Sequence, residues 1–179
     1  MSRVAKRSKS LDVEKIAEDR ASFVLALEDK CHSSEGVELI HSLRISGMLA
    51  LPSLEIVSIE PVAVYHPHPE CAASLEPVRQ MVGTRIGPGF RKRVIELMGQ
   101  TRGCTHFMTL IMDLGAAHTL SVFLRMREKS EFTPEKKADG SWIREGLAIE
   151  PRLENACVAL QTSSPIIQRA KKLANDNQQ

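Results

Sequence analysis

The sequence predicts an α+β fold, an N-terminal antiparallel β-meander followed by packed α-helices. Three observations carry this. Residues 22–65 hold three runs of strand-forming residues with short connections, Pro67 and Pro69 close that region, and beyond them the apolar residues fall at helical spacing.

The strands come first. "SFVLALEDKCH" is rich in β-compatible residues, "VELIHSLRISGMLAL" places Val37, Leu39, His41, Leu43 and Ile45 on one face by alternation, and "SLEIVSIEPVAVY" continues in the same style. "SSEG" at 33–36 and "LPS" at 51–53 supply the turns. Connections this short join antiparallel neighbours, because parallel ones need long crossovers.

In "YHPHPEC" neither proline can donate to a ladder, and each holds the histidine before it extended, so the sheet ends there. "AASLEPVRQMVG" predicts a short helix stopped by Gly83. "GPGFRKRVIELMGQ" predicts a second, with Phe90, Val94, Leu97 and Met98 on one face and Gly99 as its stop. A longer helix follows in "GCTHFMTLIMDLGAAHTL", with Thr105 as N-cap and Phe107, Leu110, Ile111 and Leu114 as its apolar stripe. From Arg125, "RMREKSEFTPEKKADGSW" reads as an exposed, charged excursion. Helical segments are expected around Cys157 and from Pro165, with the last few residues frayed.

At the other end, Arg3, Lys6, Arg7 and Lys9 give "MSRVAKRSKS" the character of a solvated basic leader, and residues 11–20 read as a short helix. The expected organisation is therefore a leader over 1–19, an α+β core over 20–126, and a charged loop with a C-terminal helical extension over 127–179.

Composition narrows the function. A chain of 179 residues, 42% apolar, can bury one continuous core. It has no run of about 18 uninterrupted apolar residues and no apolar stretch behind the basic start, so a cytoplasmic protein without a membrane partner is expected. A formal charge of +2 and seven aromatic rings (five Phe, one Tyr, one Trp) argue against a nucleic-acid partner. A homodimer is expected. Cys31, Cys71, Cys104 and Cys157 contain no C-x-x-C pair and read as thiols or ligands rather than disulfides.

Four soft or titratable residues fall at the edges of apolar elements: His41 within a strand, Cys71 just past the sheet, and Cys104 and His106 at a helix start. The helix N-terminus favours an anion, hence a thiolate at Cys104. Two thiols and two imidazoles suit zinc or another divalent metal, with His41, Cys71, Cys104 and His106 as ligands. They suit also a nucleophile and base, or hydrogen-bonded filler of a core. Asp113, two turns on from His106, either assists it or faces solvent. His66, His68 and Arg85 are candidates for binding substrate. "GTRIGPGF" lacks Walker spacing, so Gly87 and Gly89 read as turn glycines.

The stretches "HSLRISGMLALPSLEIVSIEPVAVYHPHPEC" and "VGTRIGPGFRKRVIELMGQTRGCTHFMTLI", in that order, resemble the bacterial family designated domain of unknown function 2889. The likeness covers roughly residues 20–125 and is most specific at the Gly-Cys-Thr-His step. It implies that His41, Cys71, Cys104 and His106 are the positions to carry over. The chain departs from the family pattern at His41-Ser42, where the family has His-Asp, and at Thr109, where it has a glutamate. Relatives encoded among enzymes that degrade aromatic compounds imply a small aromatic or phenolic substrate. The expected function is a lyase or hydrolase that uses His41 and His106 for acid–base work, with Cys104 and Asp113 beside them. The alternatives are a noncatalytic module binding a small ligand or a protein, and a structural zinc domain.

Overall fold

A computed structural model describes residues 2–176. The α+β architecture is present: strands β1 (Val4–Ala17), β2 (Arg20–Ser33), β3 (Gly36–Ala50) and β4 (Glu55–Tyr65) form one sheet in the order β1-β2-β3-β4. All three pairings are antiparallel. Helices follow: α1 (Leu75–Arg79) after a 3-10 turn at Pro69–Ser74, then α2 (Phe90–Met98), α3 (Thr105–Asp113), α4 (Ala117–Lys129), α5 (Pro134–Asp139), α6 (Ser141–Ile149) and α7 (Pro165–Asp176).

The first strand corrects the reading of residues 1–19. Val4–Ala17 is neither an unpaired leader nor a helix, because it pairs with β2 as an edge strand. Period-two alternation explains this. Leu11 and Val13 pack against the core while Lys9 and Arg7, two and four residues before Leu11 on the same face, find acidic partners. The charged side chains of Lys6, Arg7, Lys9 and Lys15 also protect this long edge strand from pairing with another chain.

β2 shows the cleanest alternation. Ala21, Phe23, Leu25 and Leu27 are buried, and Asp29 continues the same parity. On β3, Leu49, Ile45 and Leu43 pair opposite Ala21, Leu25 and Leu27, and His41 pairs opposite Asp29. The register then slips by one residue, with Lys30 opposite Leu39. This bulge at Ile40 turns Leu39 and Val37 away from the face that His41 occupies, so the single five-residue stripe expected from the sequence stops at His41.

The buried face is covered by helices. Val78, Val94 and Met98 meet Phe107, Leu110, Ile111 and Leu114 in one continuous core with the strand residues. Each large apolar side chain buried there contributes roughly 1.5–3 kcal/mol. α3 matches its predicted stripe, but its N-cap is Cys104 rather than Thr105.

Two compact units result, residues Met1–His118 and Thr119–Gln179. The second corrects the expectation of an exposed excursion from Arg125. It carries helices α5, α6 and α7, and Trp142 is buried with Val122 and Met126 while Phe123 and Phe132 meet the indole edge-on. Thr133 accepts a hydrogen bond from the Lys136 backbone N–H, which starts α5 within the charged stretch. The C-terminal residues expected to fray include 177–179, which lie outside the described residues. One helical stretch, Thr105–Lys129, is long and apolar enough to cross a membrane by length and composition, with 39% of that window buried. Its α3 portion supplies core residues of the first unit.

Gly47 marks where packing is tightest. A Cβ there would lie 2.2 Å from the Ser58 carbonyl oxygen and 2.6 Å from the Phe23 ring, whereas a Cβ at Gly87 would meet nothing within 4 Å. Gly47→Ala is therefore expected to cost about 2–3 kcal/mol by overpacking, against roughly 0.5 kcal/mol or less for Gly87→Ala. Urea denaturation of the two variants measures the difference.

Candidate functional site: a buried carboxylate between two imidazoles and a thiol

One rung of the sheet carries the site. Arg7, Asp29 and His41 lie directly opposite one another on β1, β2 and β3, at the end of the apolar stripe. Shared parity puts all three on the helix-covered face, so a carboxylate follows Leu27 into the interior. Burial of an anion demands donors. Arg7 supplies a fork, Nε to Asp29 Oδ1 at 2.6 Å and Nη2 to Oδ2 at 2.8 Å. His41 Nδ1 lies 3.0 Å from the same Oδ2.

α3 brings the rest. Its N-terminal turn sets His106 Nε2 3.5 Å from Asp29 Oδ2, with the His41 and His106 ring centroids 4.0 Å apart. The other ring nitrogen, His106 Nδ1, lies 3.2 Å from Cys104 Sγ. Thr109 donates its hydroxyl to the His106 carbonyl 2.9 Å away and adds no charge.

The chemistry of the acceptor assigns the protons. An ionised carboxylate only accepts, so hydrogens belong on His41 Nδ1 and His106 Nε2. His106 Nδ1 then presents its lone pair to the thiol, whose S–H donates to it. A line of contacts runs from sulfur through imidazole to carboxylate and guanidinium.

The electrostatics agree. The bond from Arg7 is the largest of the effects that hold the Asp29 carboxyl below its ordinary value, against the opposing effect of burial. Burial comes first in lowering His106, followed by the charges of His41 and Arg7, and Asp29 pulls the other way. His106 is thus neutral at pH 7 and able to accept a proton. Arg7 is raised, chiefly by its bond to Asp29 and to a smaller extent by the pull of Cys104. Cys104 is also the N-cap of α3 and no side chain caps that helix, so free first-turn N–H groups add positive potential beside the sulfur.

Cys104 borders an open cavity of about 420 Å³, which is also lined by His68, Cys71, Ser74, Thr101 and Arg102. Of the four residues expected to converge, His41, Cys104 and His106 come together. Cys71 faces the same cavity as Cys104 but is outside the imidazole–carboxylate cluster. Among the described residues, the ligand atoms that gather within 4.8 Å belong to Asp29, His41 and His106, so only two of the four ligands expected from the sequence are in that group.

The remaining candidates are placed as follows. Asp113 does not assist His106, because it pairs with Lys9 of β1. Arg85 faces Glu55 across an isolated bridge at the end of β4 that pairs with Ala50. Nine rungs, or about 30 Å, separate that end of the sheet from Asp29. Arg85 therefore does not serve this site. His66 Nδ1 donates to the His68 carbonyl at 2.7 Å and holds the turn, while His68 itself reaches the cavity rim.

Asp29 and Arg7 are the functional residues that the sequence reading missed. The signal was present in "FVLALED", where Asp29 keeps the parity of Phe23, Leu25 and Leu27. Arg7 was grouped with Arg3, Lys6 and Lys9 as tail charge.

The chain belongs to the family described as "Protein of unknown function (DUF2889)", which it matches over residues 1–120. No curated protein and no solved structure matches it. The matched span contains every residue of the cluster.

Opposite charges around His106 predict opposite shifts. Arg7→Ala removes a repelling cation, so the imidazole should titrate at higher pH. Asp29→Asn removes an attracting anion and should move it lower still. Proton NMR titration of the His106 ring C–H signals reads both directions, and a like-signed response would show that the two groups do not act on His106 as the distances imply.

Proposed function

On that membership and this geometry, we propose that the chain is a cytoplasmic small-molecule enzyme, a lyase or hydrolase, in which His106 moves protons for a substrate held in the cavity against Cys104. The single observation that carries the reading is the 3.2 Å contact from Cys104 Sγ to His106 Nδ1, with Asp29 3.5 Å behind the same ring. A thiol at the cavity wall, a neutral imidazole beside it and a buried carboxylate behind are the parts that activate a nucleophile or relay a proton. His41 and Arg7 act on Asp29 and keep its oxygens directed at the ring. They are positioning residues. The aromatic or phenolic class of substrate rests on the family resemblance alone.

Two assays with one set of variants test this. Phenyl ester cleavage, followed by phenolate release, addresses hydrolysis, and mass spectrometry of a panel of phenols with oxygenated side chains addresses bond-breaking without water. His106→Gln and Cys104→Ser are expected to lower the active reaction by about 10²–10⁴-fold. With His106 neutral, the wild-type rate should hold into mildly acidic solution and decline only below the ordinary imidazole range. Equal rates for wild type and both variants across both assays would remove the proposal.

A second reading is a divalent metal centre, favoured by the gathering of Asp29, His41 and His106 within 4.8 Å. These groups fit zinc by type, two imidazoles and a carboxylate with room for a further ligand. Arg7 weighs against it, since both Asp29 oxygens already accept from a guanidinium and a dication would sit beside that charge. The proton relay is preferred for this reason. Zinc added at tenfold excess is accordingly expected to leave the melting temperature unchanged. A rise that His41→Ala abolishes would favour the metal.

A further inference from the structure

Cys71 is not used by the proton relay, yet it lines the same cavity as Cys104. The two arrive by separate routes, Cys71 on the 3-10 turn after the sheet and Cys104 at the head of α3. Neither is in a disulfide, and both are partly exposed. Their settings differ. Cys104 has His106 Nδ1 at 3.2 Å to take its proton and the start of a helix to favour the anion. Cys71 contributes its carbonyl to Ser74, which donates to it at 2.6 Å and fastens the turn, and its backbone N–H donates to the His68 carbonyl. One thiol has a proton acceptor beside it, and the other lines the same cavity.

We propose that Cys104 is a site of oxidation by hydroperoxides and that Cys71 is its resolving partner. In the first step the Cys104 thiolate attacks the terminal oxygen of R–O–OH. An S–O bond forms, the O–O bond breaks, and the leaving alkoxide takes the proton that His106 received from the thiol. Sulfur loses two electrons and the peroxide gains them, giving Cys104 sulfenic acid and an alcohol. In the second step the Cys71 sulfur attacks the Cys104 sulfur. The S–S bond forms, the S–O bond breaks, and hydroxide leaves as water with the Cys71 proton. The disulfide closes the cavity at the thiol end, and a dithiol reductant reopens it.

The proposal rests on the Cys104–His106 pairing but not on any catalytic turnover, so its test is independent of substrate. The full chain is treated with hydrogen peroxide, in parallel samples with and without a sulfenic-acid-trapping dione, and all four cysteines are quantified by peptide mass spectrometry. Cys157, exposed and remote in sequence, is the internal control. Cys104 is expected to oxidise at least about tenfold faster than Cys157 and to appear in a Cys71–Cys104 disulfide. In Cys71→Ser the dione adduct at Cys104 should accumulate instead. In His106→Gln, Cys104 oxidation should slow toward the Cys157 rate. Oxidation of Cys104 no faster than that of Cys157, or a disulfide formed with Cys31 or between chains, would overturn the assignment.

Discussion

The site depends on satisfying one buried carboxylate. Asp29 sits where the apolar stripe of β2 would have placed another leucine, and it is 8% exposed. An anion there is tolerable only if donors reach it from several directions. The sheet provides two of them on the same rung, and α3 provides a third. Because β1 and β3 flank β2, their side chains approach Asp29 from both sides without any loop having to fold in. The Arg7 guanidinium is partly in water, with 43% of its side chain exposed, so the pair is less costly to bury than a fully enclosed one.

That constraint also fixes the helix start. His106 can approach Asp29 only if the first turn of α3 lies over the polar end of the sheet while the rest of the helix lies over the apolar part. The sequence meets both conditions, because Phe107, Leu110, Ile111 and Leu114 bind α3 to the strands and Lys9 on β1 holds Asp113 at its far end. Packing thus sets the imidazole, and the imidazole's second nitrogen sets which way the thiol faces. The Ile40 bulge belongs to the same design. It ends the alternation beyond His41, so the strand does not carry Leu39 into the region where a polar environment is required.

Much of this was legible in the sequence. Prolines at 67 and 69 marked the end of the sheet, and helical spacing named the buried face of α3. His41, Cys104 and His106 were picked out because polar groups at the edges of apolar elements must find partners. What was not legible depended on pairing. Arg7 resembles every other basic residue near it until β1 is laid against β2, when odd positions turn inward and even ones outward. Asp113 shows the converse error: helical spacing put it on the His106 side, but Lys9 approaches from a strand, and no local pattern announces a cross-element ion pair. The charged stretch after Arg125 misled for a related reason, since its helices are fastened by Trp142 and by the Thr133 cap rather than by an apolar stripe.

The absence of a carboxylate at positions 42 and 109 is coherent in this setting. A glutamate at Thr109 would sit one turn along from His106, and an aspartate at Ser42 one residue from His41. Either would introduce a further carboxylate near two imidazoles that already share one. With Thr109 bonded to its own helix and Ser42 neutral, Asp29 is the carboxylate that the clustered residues place against both rings. One anion facing two imidazoles and a guanidinium leaves the cluster with an excess of groups able to carry positive charge. That excess disfavours a bound dication. The same residues that make Asp29 tolerable in the interior therefore weigh against a metal ion beside it.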